Sequence, residues 1–100
     1  MATLLQIDFP FEGPWGDAMT EALSGLAADI ASEEGLLWKI WTENPAEHRA
    51  GGIYLFTDAE NAARYAEKHR ERLKGFGIAE IAGRSFAVNP VLSAVTRATL

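Results

Sequence analysis

Short runs of alternating apolar and polar residues are separated along this chain by two stretches in which apolar residues recur every three or four positions. From Leu4 to Phe11 the odd positions Leu5, Ile7, Phe9 and Phe11 are apolar, and Gln6 and Asp8 fall between them. That period of two predicts a strand with one buried face, and Pro10 predicts that ladder pairing stops near its end. Glu12 to Gly16 reads as a loop punctuated by Pro14 and two glycines. From Asp17 to Ala31 the stripe Met19, Leu23, Leu26 and Ile30 predicts a helix, closed by Gly35 in a left-handed position. Two acidic residues, Glu33 and Glu34, sit against the helix dipole at that end, with solvent exposure as the one account the sequence offers.

The stretch Gly35–Asp58 reads as a hairpin. Leu36 to Thr42 and Ile53 to Thr57 are rich in aromatic and branched residues, and Asn44-Pro45 breaks the first strand. Strict alternation puts Leu36, Trp38 and Ile40 on one face and Leu37, Lys39 and Trp41 on the other. Tyr54 and Phe56 then oppose Ile53 and Leu55. Both faces are largely apolar, so both need a cover. Gly51-Gly52 predicts a bulge or a close approach at the start of the second strand. A second helix starts at Thr57 or Asp58, where Thr57 and Glu60 match a capping box, and runs to about Lys74. Its stripe is Ala59, Ala62, Ala66, His69 and Leu73, with Tyr65 beside it. A last strand is expected from Ile81 to Val88, ended by Asn89-Pro90, and Val91 to Leu100 is a tail with mixed signals.

The order strand, helix, strand, strand, helix, strand is an α+β plan, the ferredoxin-like split βαβ. One domain covering residues 1–100 is all that this length supports. Two helices on one face of a four-stranded antiparallel sheet leave the other apolar face open. The simplest cover is a second copy, giving a homodimer through the sheet faces.

Composition narrows the partners. The net charge of −5 argues against a nucleic-acid ligand, which needs a basic surface. No cysteine is present, which removes disulfides and thiolate chemistry and fits a reducing compartment. Neither a signal peptide nor a membrane span is recognisable, so a cytoplasmic location is expected.

The segments GPWGDAM, GLLWKIWTE, AGGIYLFTD, EKH and FAVNPVLS together resemble the YdhR-like mono-oxygenase family of the dimeric α+β barrel superfamily. The resemblance implies the same ferredoxin-like subunit paired sheet to sheet. Relatives in that superfamily include cofactor-free mono-oxygenases that act on aromatic polyketides, haem-degrading enzymes, and isomerases. Many carry a histidine on the second helix; the matching run here has Tyr65 at that place and His69 one turn later.

Candidate chemistry is sparse. His69 lies on an otherwise apolar stripe and is the best candidate base, although a histidine near a helix C-terminus also suits the dipole. Asp8 is the second candidate, as a base or as the group that orients His69; the plainer alternative is an ion pair with an arginine such as Arg84. Trp38, Trp41, Tyr54 and Tyr65 are the candidate substrate-binding residues, with at most one of the two tryptophans facing the helices. Small residues opposite large ones on the sheet either interlock or leave a pocket. His48 lacks the carboxylates a metal site would need, and no metal or cofactor is expected. The expected function is a cofactor-independent mono-oxygenase acting on a small aromatic or quinol-like substrate. The alternatives are a non-catalytic dimer that binds a small hydrophobic molecule, and a structural dimer without a ligand.

Overall fold

The computed structural model describes residues 1–100. Strands β1 (Thr3–Pro10), β2 (Leu36–Asn44), β3 (Arg49–Phe56) and β4 (Ala82–Ala87) form one antiparallel sheet in the order β2-β3-β1-β4. Helices α1 (Gly16–Ala31) and α2 (Ala59–Gly75) follow β1 and β3, and a short helix α3 (Pro90–Val95) follows β4. This is the expected ferredoxin-like α+β arrangement, with β1 and β3 in the middle. None of the helices is long and apolar enough to cross a membrane.

The core lies between the sheet and the two long helices. Leu5, Ile7 and Phe9 of β1, Tyr54 and Phe56 of β3, Met19 and Ile30 of α1, and Ala62, Tyr65 and Leu73 of α2 are all buried there. Each large side chain taken out of water contributes ~1.5–3 kcal/mol, so the predicted apolar stripes are what hold the layers together. Acidic residues at the end of α1 also find a role. Glu33 pairs with Lys68 at 2.9 Å and Glu34 with Arg64 at 3.2 Å, so both tie α1 to α2.

Local details depart from simple patterning. The cap of α2 is Asp58, whose carboxylate accepts from the Asn61 N–H at 2.8 Å; Thr57 stands outside the helix. Gly51 is a close approach, since a Cβ there would lie 2.0 Å from the Ile7 carbonyl oxygen of β1. The bulge falls instead in β2. Leu36 pairs with Phe56 and Trp38 with Leu55, so Leu37 is the unpaired extra residue. Leu36 therefore stays on the core side while Trp38 and Ile40 turn to the other face, and Lys39 and Trp41 turn toward the helices. The tail beyond β4 reaches from that edge strand to β2. Asn89 caps α3, and Trp38 Nε1 on the far edge strand donates to the Thr99 carbonyl at 3.0 Å.

Candidate active site

The bulge, the inner stripe of α2 and the middle of β3 converge on one enclosed space. Lys39 and Trp41 come from β2, Tyr54 from β3 and His69 from α2, while Met19 and Leu23 of α1 close the top. The cavity holds about 60 Å³, well below the ~150 Å³ of a benzene-binding cavity. Phe11, Leu23, Phe76 and Ile78 form its outer wall and also border a wider cleft of about 690 Å³ between the segments Pro10–Pro14 and Phe76–Glu80.

His69 is 3% exposed and stacks on Tyr65, with ring centroids 5.2 Å apart and planes 18° from parallel. Its Nδ1 accepts from Arg72, with Nε at 3.2 Å and Nη2 at 3.0 Å. Arg72 is itself held by Asp29 of α1 through Nη1 at 2.8 Å. An Nδ1 that accepts from a guanidinium assigns the ring proton to Nε2. Burial, then the charges of Lys39 and Arg72, lower the His69 pKa to about 3. The imidazole is thus a neutral hydrogen-bond donor and a weak base.

Lys39 enters over Gly52. A Cβ at Gly52 would lie 2.5 Å from Lys39 Cε, so the glycine makes room for the lysine stem. The Nζ atom lies 3.4 Å from the centroid of the Trp41 ring and 4.7 Å from that of Tyr54. Burial, with the Arg72 charge second, lowers its pKa to about 7. Tyr54 completes the floor with Tyr65 behind it: Tyr65 Oη donates to Tyr54 Oη at 3.4 Å, and burial raises both phenol pKa values.

An apolar, aromatic-walled space with few polar groups sits in a chain whose residues 4–99 match the family model described as "Putative mono-oxygenase ydhR". The chain belongs to the ydhR mono-oxygenase family. The match spans every element that lines the cavity. The chain matches none of the curated proteins compared with it.

Within this ydhR-family fold the candidate residues divide. His69, Trp41 and Tyr54 line the cavity, and Tyr65 stands behind it, stacked on His69 and bonded to Tyr54. Trp38 is on the opposite face, bonded to the tail. Asp8 is on that opposite face too, in contact with Arg49 and not Arg84. Arg49 Nε donates to its Oδ1 at 2.9 Å, and Nη2 contacts the same oxygen. The structure therefore does not bring Asp8 to His69. Lys39 and Arg72 went unnoticed as site residues in the sequence. The signal for Lys39 was present: it is the one charged residue inside the run LLWKIW.

Proposed function

We propose that this protein is a cofactor-independent mono-oxygenase whose substrate, a small aromatic or quinol-like molecule, binds in the cavity between the helices and the sheet. The observation that carries this reading is the enclosure of Lys39 and His69 by Trp41, Tyr54 and Phe9 inside a ydhR-family chain. Apolar walls exclude water and orient a flat ring, and the few polar groups address its oxygen. The substrate loses a proton from a hydroxyl or an activated CH₂, and the anion passes an electron to O₂. For a CH₂ between aromatic rings, one oxygen atom becomes the new carbonyl and the other leaves as water, so no external reductant is needed. His69 contributes a hydrogen bond from Nε2 to the substrate oxygen.

The apolar lining of the cavity, which serves binding without any base, supports one second reading, a non-catalytic dimer that holds a small hydrophobic ligand. Oxygen-electrode assays with a panel of anthrones and quinols decide between them. Consumption of O₂ lost in His69→Ala supports the oxygenase; binding without any turnover supports the carrier.

The proposed assembly is a homodimer through the open sheet face, where Ile40 and Phe86 are 54% and 48% exposed. Large apolar side chains grouped on one face mark an association surface. Native mass spectrometry reads it directly, and a monomeric mass rejects it. The cysteine-free chain suits the cytoplasm, where thiol oxidation plays no part in stability.

A further inference from the structure

Lys39 has no ionic partner. The ion pairs of the molecule engage Lys68 and Lys74 but leave Lys39 without a carboxylate, and its half-buried Nζ has no protein hydrogen-bond partner and keeps only a solvent contact. Its surroundings are ring faces and other cations or neutral groups. From α2 it meets His69, with the Arg72 charge behind, and from β3 it meets Tyr54, whose phenol is bonded to Tyr65. From α1 the cavity residues are Met19, Leu23 and Leu26, none of them titratable, and Asp29 is spent on Arg72. An amine held this way lacks the counter-charge that a structural lysine has, and aromatic faces alone offset little of the desolvation of a buried ammonium.

We propose that Lys39 is the proton acceptor of the cavity: its amine takes the proton of an acidic phenol or enol, and the resulting ammonium holds the anion beside the Trp41 ring. The substrate O–H bond breaks, an N–H bond forms, and the electron pair stays on the substrate oxygen, with no co-reactant required. This rests on the cavity being the substrate site, as proposed above. The geometry suits the step in three ways. The amine lines the cavity whose outer wall, Phe11, Leu23, Phe76 and Ile78, also borders the wide cleft. It is reached over Gly52, whose missing side chain is what permits the approach. The anion formed would meet two donors at once, the new ammonium and His69 Nε2, and so supply the missing counter-charge. A substrate with an ionisable hydroxyl is therefore the class selected, and a neutral hydrocarbon is not. The fully buried tyrosines cannot compete for the role, since burial keeps their phenols protonated.

The test has one arm without ligand and one with it. Lysine labelled with ¹³C at Cε gives one signal each for Lys39, Lys68 and Lys74, assigned with Lys39→Met, a swap of similar volume that keeps the cavity wall apolar. The Lys39 signal is expected to titrate near pH 7, well below the ordinary lysine value of 10.5. 3-Nitrophenol, a weaker acid whose anion is also yellow, is then bound at about pH 8, where the Lys39 amine is mostly free. The wild type is expected to raise the ionised fraction of bound probe by about tenfold over Lys39→Met. Gly52→Ala, which keeps the lysine but pushes it off the rings, should lie between the two. If Lys39 titrates at the ordinary lysine value of 10.5, or the probe binds equally ionised to both proteins, the proton-acceptor role is overturned and the cavity reading stands. If calorimetry shows no binding of the probe to either protein, both fall.

Discussion

Arg72 fixes the imidazole of His69 from behind, with Nη2 3.0 Å from Nδ1, and is itself fixed by Asp29. The histidine is buried and neutral, with its pKa lowered from 6.5 to about 3. The unfolded chain binds a proton there below about pH 6.5 while the native state does not until about pH 3. Native stability from this group is therefore complete above the unfolded value and falls as pH drops through that window, by up to ~5 kcal/mol. Urea unfolding between these limits should show this slope in the wild type and lose most of it in His69→Gln.

Lys39 gives the opposite end of the same profile. Its pKa is lowered from 10.5 to about 7, so the unfolded chain holds the extra proton between those values. Stability should rise with pH across that interval, by at most ~1.4 kcal/mol per unit, and flatten in Lys39→Met. Parallel denaturation curves at neutral and mildly alkaline pH check the sign.

Adjacent glycines should respond differently to alanine. At Gly51 the new methyl would meet the backbone of β1, 2.0 Å from the Ile7 oxygen, and the central strand pair cannot yield. A loss of more than ~3 kcal/mol, or failure to fold, is expected. At Gly52 the nearest atom is Lys39 Cε, the far part of a flexible side chain, so the cost should be near ~1 kcal/mol. Thermal melts of the two variants side by side measure the contrast.

The tyrosine pair predicts a non-additive cycle. Removing the Tyr65 hydroxyl leaves that of Tyr54 buried without its partner, at ~1 kcal/mol. The double change to phenylalanine removes both groups and should cost no more than either single change. Chemical denaturation of the four proteins gives the coupling energy.

Asp8 and Arg49 are about one-third exposed, 35% and 36%. Asp8→Asn should cost ~1 kcal/mol or less and leave ligand affinity of the cavity unchanged, since the pair lies on the other face of the sheet. A drop in affinity measured by calorimetry would mean that the faces communicate.

The layers of this fold were legible because each helix stripe and the β1 alternation repeat the period of their element. Met19, Ile30, Leu73 and the Leu5–Ile7–Phe9 face are all where the pattern puts them. His69 was legible for the same reason, as a polar residue on an apolar stripe. The facing of β2 was not, because alternation presumes an unbroken ladder and one unpaired residue reverses it. The partner of Asp8 was hidden likewise: the register sets Gly51 and Ala82 directly opposite it and makes Arg49 and Arg84 equally diagonal neighbours, so only the side-chain geometry picks out Arg49. Arg72 lies three residues after His69, a spacing that makes the two neighbours on α2, but spacing alone does not show that the guanidinium bonds the imidazole nitrogen and not solvent.

The bulge at Leu37 has a wider consequence. Two tryptophans an odd number of residues apart on a strand are always on opposite sides, so one of them must serve the interior and the other the exterior. Which does which is a matter of reading frame, and the frame here is set by a single supernumerary residue. Excising Leu37 would restore an ordinary ladder while keeping Trp41 inward and Trp38 at the tail. Adding one residue between Leu37 and Trp38 with the upstream pairing unchanged would trade their places, carrying Lys39 out to solvent and emptying the interior of its amine.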